Sequence, residues 1–242
     1  MVAIAAALQA CQNRIASACN QAGRPENCAQ LVAVSKTFPA ASIRAAYDAG
    51  QRVFGESYLQ EALAKMEQLT DLPLEWHFIG PLQSNKTRAI ATNFAWVHSL
   101  ERIKIAQRLS EQRPADLPPL NVCIQVNVSG EASKSGVEPD AALGLALEIV
   151  TLPHLRLRGF MAIPEPTQDA ERLHQRFRQV AELLQTARVQ PGLSGQTLDT
   201  LSMGMSDDLE AAIHEGATLV RVGTALFGSR NLIENNPLEQ AQ

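Results

Sequence analysis

The sequence has no Cys-x-x-Cys pair, no His-Glu-x-x-His and no clustering of cysteine with histidine. Its four cysteines, Cys11, Cys19, Cys28 and Cys123, are spread along 242 residues. The five histidines, His77, His98, His154, His174 and His214, are scattered in the same way. Zinc-ligand spacing and a disulfide framework are therefore not indicated, and the reading is reduced thiols with no metal site. An excess of basic charge is missing too. The formal net charge of -4 gives no whole-chain reason for a nucleic-acid or anionic-membrane partner, although it leaves room for a local phosphate pocket. No uninterrupted apolar run is long enough to cross a bilayer. The start of the chain has no basic n-region, and Gln9, Gln12, Asn13 and Arg14 come too early for a signal peptide. The expectation is a cytoplasmic protein.

What is present is a regular alternation. Hydrophobic residues make up 45% and charged residues 19%, enough for a sizeable core in a chain about as long as one barrel domain. Residues 3–22 contain no Gly or Pro, are rich in Ala, Gln and Leu, and read as an amphipathic helix closed by Gly23 and Pro25. Strand-like runs then fall at 31–36, 52–56, 75–80, 95–99, 121–127, 155–161, 200–203 and 218–223. Helical stretches follow at 42–49, 58–69, 84–92, 101–112, 139–150, 168–188 and 207–214. Repeated β-then-α units imply a parallel sheet with helical crossovers. This many units in this length predict a single α/β domain over residues 1–242, a (β/α)8 TIM barrel. An extra N-terminal helix occupies 1–25 and a loosely held tail 228–242. The prolines between Pro114 and Pro119 read as one long connection.

In such a barrel the residues just after each strand share one mouth. Those positions are Lys36, Glu56, Gly80, Ser99, Asn127, Met161, Ser202, and Gly223 with Thr224. Leu31-Val32-Ala33-Val34-Ser35-Lys36 is a buried strand delivering a lone amine, with Pro39 ending it. Two small turns follow the last two strands, Ser202-Met203-Gly204-Met205-Ser206 and Arg221-Val222-Gly223-Thr224-Ala225. Glycine, hydroxyl and helix start suit an anion, and these are the loops where barrels often hold phosphate. Ser206-Asp207-Asp208 reads as an N-cap with acidic residues in the first turn, which places the anion nearer Ser202 and Gly204. Arg221 lies on the same side of its strand as Gly223 and is costly to bury unpaired. An amine, a phosphate cradle and a strand arginine suggest pyridoxal phosphate (PLP), with Lys36 forming the imine and Arg221 facing the ring nitrogen. Arginine cannot accept the pyridinium proton, so the ring should be a weak electron sink.

Val34-Ser35-Lys36-Thr37, Phe54-Gly55-Glu56, the run from His77 to Lys86, Ser133-Lys134-Ser135-Gly136, Arg158-Gly159-Phe160-Met161, Ser202 to Asp208 and Arg221-Val222-Gly223-Thr224 occur in order. Together they resemble the pyridoxal phosphate homeostasis protein family over about Leu31 to Arg230. The resemblance implies a barrel like the N-terminal domain of alanine racemase, PLP on Lys36, and phosphate contacts from Ser202, Gly204, Gly223 and Thr224. It also implies Arg221 at the pyridine nitrogen, a role in intracellular PLP homeostasis and delivery to PLP-requiring apoenzymes, and no established turnover. Met161 and Ser57 carry over more weakly. Ser57 stands where the family motif usually has asparagine. Lys134 matches a family lysine after the fifth strand, and His77 reads as a buried structural histidine. A monomer is expected.

Two enzymatic readings compete. An alanine racemase-like enzyme needs a second base, a tyrosine supplied in that enzyme by a further domain, and the tyrosines here are Tyr47 and Tyr58 on early helices. A Schiff-base aldolase acting on a phosphosugar shares the lysine and phosphate cradle, with Glu56 as the available acid/base.

Overall fold

Apolar runs bounded by glycine, proline or polar turns become the strands. Leu31 to Val34, all buried, lie within strand β1 (Gln30–Val34). The computed structural model describes residues 2–130 and 135–228. Helix α1 (Val2–Gln21) precedes β1. After it come α2 (Ala40–Asp48), β2 (Val53–Glu56), α3 (Leu59–Gln68), β3 (Glu75–Phe78), α4 (Thr87–Asn93), β4 (Trp96–Leu100), α5 (Ile103–Gln112) and β5 (Leu120–Gln125). The chain continues through α6 (Pro139–Ile149), β6 (Leu155–Met161), α7 (Ala170–Val189), β7 (Thr200–Ser202), α8 (Leu209–His214), β8 (Leu219–Val222) and the single turn α9 (Thr224–Phe227). The strands are parallel, pair in sequence order and close β1 on β8, so the expected (β/α)8 barrel is the observed fold.

The extra helix covers one side of the barrel. Leu8, Cys11, Ile15, Ala18 and Cys19 are buried on one face of α1 at helical spacing, against α2, α8 and α9. Arg14 grips Glu210 of α8 through both carboxylate oxygens. The four cysteines carry no disulfide, but the sulfurs of Cys19 and Cys28 approach to 2.6 Å, a contact that spacing did not reveal. The expected N-cap at Ser206 is corrected. Helix α8 starts at Leu209, and the Asp208 carboxylate instead accepts the Met205 N–H at 2.5 Å, tightening residues 205–208 into a turn. No described helix is long and apolar enough to cross a membrane.

Two apolar cores result. The larger fills the layer between sheet and helices, and the smaller, Val32, Val53, Trp96, Cys123, Met161 and Leu219, lies inside the barrel. Register puts polar residues on that inner face as well. Arg221 sits opposite Val32, His77 opposite Trp96, and Ser202 opposite both Met161 and Leu219. Barrel interiors are ordinarily layered with Val, Ile and Leu, so a line of polar side chains there marks where to look for function.

Candidate functional site

The ends of β1, β7 and β8 build the mouth. Just after β1, Ser35 is buried and Lys36 half-buried in a turn. Thr37 follows with φ +69, in the left-handed region that a β-branched residue rarely enters. Ser202 and Met161 are fully buried at the ends of β7 and β6. Gly204 is buried with φ +96, and a Cβ there would lie 2.7 Å from the Ala212 Cβ, so only glycine fits the turn. At Gly223 a Cβ would lie 3.2 Å from the Val34 carbonyl oxygen, so the loop after β8 packs tightly on the end of β1, the strand that carries Lys36. Thr224 is exposed and opens α9, in which the Leu226 and Phe227 amides already bond the Gly223 carbonyl. Ser57 is half-buried after β2, and its carbonyl oxygen packs where Gly80 leaves no room for a side chain. Lys134 lies outside the described residues.

Arg221 is 4% exposed. Its NH1 donates to the Ser202 carbonyl oxygen and to Ser202 Oγ, both at 2.6 Å, and its NH2 donates to the Ala162 carbonyl oxygen at 3.0 Å. All three acceptors are neutral. Burial lowers the guanidinium to a pKa of about 10, with Asp208 pulling the other way, so it remains charged at neutral pH. A buried cation held only by uncharged oxygens retains most of its electrostatic demand for an electron-rich group.

Behind Ser202 runs a buried chain of hydrogen bonds. Ser202 Oγ lies 2.7 Å from His98 Nδ1, His98 Nε2 lies 2.8 Å from His77 Nδ1, and His77 Nε2 lies 2.8 Å from a Glu75 oxygen. The direction of every proton follows from the two ends. The hydrogen bond from His77 holds the Glu75 carboxyl below its usual range, so it accepts. Burial lowers His77 and drives His98 well below the ordinary histidine value, so each ring carries one proton. His77 donates to Glu75, His98 to His77, and the Ser202 hydroxyl to His98, while Ser202 Oγ accepts from Arg221, which can only donate. The hydroxyl proton of Ser202 is thus directed into the barrel, and the donors left for an anion at this turn are backbone amides. His77 was legible as buried and structural. His98 was missed, although it lies two residues from Trp96 on β4, and so on the same face, as His77 does from Glu75 on β3.

At the second strand, Glu56 has no exposed surface, accepts from Ser35 Oγ at 2.7 Å and from Lys65 Nζ at 2.8 Å, and is raised by burial. Asn127 is buried beyond β5, with its amide nitrogen 3.3 Å from a Glu138 oxygen. Outside the mouth, His174, His214 and Glu215 bring ligand atoms within 4.8 Å of one another, a grouping the scattered histidines did not suggest. The Arg178 guanidinium already spans both oxygens of that carboxylate at 3.1 Å.

Comparison with known proteins fits this geometry. The family described as "Alanine racemase, N-terminal domain" matches residues 7–231. The pyridoxal phosphate homeostasis protein of Pseudomonas aeruginosa is 63% identical over 218 residues, 90% of this chain and 92% of that one. The structure of PipY from Synechococcus elongatus with PLP bound superimposes with a TM-score of 0.75 at 40% identity, covering 88% of this chain and all of that one. Alanine racemase from Corynebacterium glutamicum shares the fold at 20% identity and a TM-score of 0.66, with 98% of this chain matched to 63% of the racemase. The chain belongs to the family of pyridoxal phosphate homeostasis proteins, built on the alanine racemase N-terminal domain.

Proposed function

We propose that this protein binds PLP at the barrel mouth, attached through Lys36, and serves PLP homeostasis and delivery in the cytoplasm as a carrier without turnover of its own. One observation carries the reading: a buried guanidinium, Arg221, satisfied only by neutral oxygens, on the barrel face whose rim carries the Lys36 turn. The donor set fits the cofactor group by group. Lys36 is the amine for the aldehyde. The Gly204 turn, closed to a Cβ by Ala212, and the Gly223-Thr224 turn, tightly packed on Val34, are backbone cradles for the phosphate. The Arg221 guanidinium is the donor for the pyridine nitrogen, Met161 lines the wall beside it, and Ser57 flanks the mouth.

When bound, the cofactor supplies an electrophilic aldehyde and an electron-withdrawing ring. The chain's residues use the first property and blunt the second. Arg221 stays charged and can only donate, so it leaves the ring nitrogen unprotonated and the ring a poor sink for substrate electrons. Ser202 and His98, tied to Glu75, keep Arg221 from swinging away. Among the described residues, neither tyrosine is placed to act as a second base. Arg52 covers the Tyr47 ring at 3.8 Å on the side of the barrel where the strands begin, and Tyr58 is exposed before α3. The racemase chain that shares this fold extends well beyond the matched barrel.

The test loads the purified protein with PLP, removes the excess, and adds an apoenzyme that requires PLP. Recovery of that enzyme's activity, with no racemisation or transamination of alanine by the loaded protein alone, supports the carrier. Turnover of amino acid by the loaded protein would replace it with the enzyme reading.

A further inference from the structure

The turn that carries Lys36 is held in an unfavourable backbone conformation by a buried ionic network to which no role has been given. Thr37, the next residue, has φ +69. Its N–H donates to Glu61 Oε1 of α3 at 2.6 Å. That same oxygen accepts a short contact from Lys65 Nζ, one helical turn further along α3. Lys65 Nζ also donates to the Ser35 carbonyl oxygen at 2.7 Å and to Glu56 Oε1 at 2.8 Å, while Ser35 Oγ donates to that Glu56 oxygen at 2.7 Å. The residues on both sides of Lys36 are thus tied through one ammonium. Lys65 is 5% exposed and Glu56 not at all, so the contacts act in a low dielectric where each is strong and each is costly to break. Glu56 Oε2 is the one buried side-chain oxygen or nitrogen among the described residues without a partner. A strained residue fixed by its surroundings beside a reactive group is how proteins store pre-organisation.

We propose that Lys65, acting with Glu61 and Glu56, is a positioning residue that clamps the Ser35–Thr37 turn and so presents the Lys36 amine to the cofactor. The inference rests on the reading that Lys36 holds PLP. Three lone donors of an ammonium match three acceptors, namely the Ser35 carbonyl and the two carboxylates, so neither a neutral residue nor a shorter cation reproduces the clamp. The amphipathic surface of α3 gives no packing reason for a lysine to be buried at this position, whereas the acceptors around it do.

The experiment compares wild type with Glu61→Gln, Lys65→Met, Lys65→Arg and the double variant Glu61→Gln with Thr37→Gly. PLP affinity is read by absorbance, melting temperature alongside it, and hydrogen exchange of residues 35–38 in the cofactor-free protein. Losing the clamp releases the strain it holds, so Glu61→Gln and Lys65→Met weaken PLP binding by about tenfold or more and speed exchange at 35–38. Lys65→Arg keeps part of the affinity. Thr37→Gly restores affinity in the Glu61→Gln background, because glycine holds a positive φ without the carboxylate; a purely structural role for Glu61 would not produce this rescue. Glu61 is partly exposed, so its variant remains informative if Lys65→Met does not fold. Unchanged affinity and exchange in folded Glu61→Gln, or failure of the glycine rescue, overturns the proposal. Wild type that takes up no PLP overturns the cofactor reading instead, and hydrogen exchange then still decides whether the clamp exists.

Discussion

At the scale of single residues, two positions carry the sharpest expectations. Thr37 occupies the left-handed region at φ +69 with a branched side chain. Thr37→Gly is expected to raise the free energy of unfolding by about 1 kcal/mol, because the penalty for this conformation falls on residues with a Cβ. Thr37→Ala should give no such gain, and urea denaturation of the three proteins checks it. Gly204 is the reverse case. At φ +96, with a methyl group 2.7 Å from the Ala212 Cβ, Gly204→Ala should cost about 1–3 kcal/mol and weaken PLP binding, since the turn must shift to admit the new atom. Titration separates a third group. Burial holds His77 and His98 below the ordinary histidine value, so the unfolded chain binds protons that the folded chain does not. Their contribution is present above about pH 6.5 and is lost as pH falls below it, by up to about 1.4 kcal/mol per pH unit for each ring. Melting curves between pH 7.5 and 5 should show that slope, and His98→Gln should reduce it.

At the scale of elements, α1 belongs to the barrel rather than hanging from it. Ile15 is 5% exposed on its inner face, so Ile15→Ala should cost about 2–4 kcal/mol. Arg14 and Glu210 pair at the surface, with roughly a third and a half of their side chains exposed, so Arg14→Ala should cost under about 1 kcal/mol. Thermal unfolding of the two variants tests that ranking. The elements themselves were largely legible. Strand β6 runs over the expected residues, and α6 and α7 agree to within two residues, because apolar residues alternating with polar ones and then a helical period have few other solutions. What could not be read was pairing across elements. Lys65 on an amphipathic helix looks like any solvated lysine until β1 and β2 bring two acceptors to it, beside Glu61 on its own helix. His98 joins His77 only through the register of β3 and β4. Asp208 looked like part of a helix start, whereas its carboxylate closes the turn before the helix.

At the scale of the whole molecule, the barrel gathers its unusual groups along a line from one end to the other. Glu75 stands at the start of β3, His77 and His98 fill the interior, Ser202 and Arg221 lie towards the mouth, and Lys36 sits on the rim. The mouth could be read from the sequence because strand ends share a face by topology, so Lys36, Gly204, Arg221 and Gly223 converge without any knowledge of side-chain contacts. The line behind it could not. Under the proposed function, the same construction serves to hold PLP at the mouth. The described residues place an amine on the rim and a fixed cation below it. Ligand linkage gives this a thermodynamic signature: PLP at about a hundred times its dissociation constant should stabilise the fold by about 2.7 kcal/mol.

The most direct test of the central claim is to mix the purified protein with PLP, reduce it with borohydride, and map the phosphopyridoxyl mass by peptide sequencing. Modification of the peptide carrying Lys36, in close to one copy per chain, is the predicted result. Modification confined to other lysines, or none at saturating PLP, would contradict it.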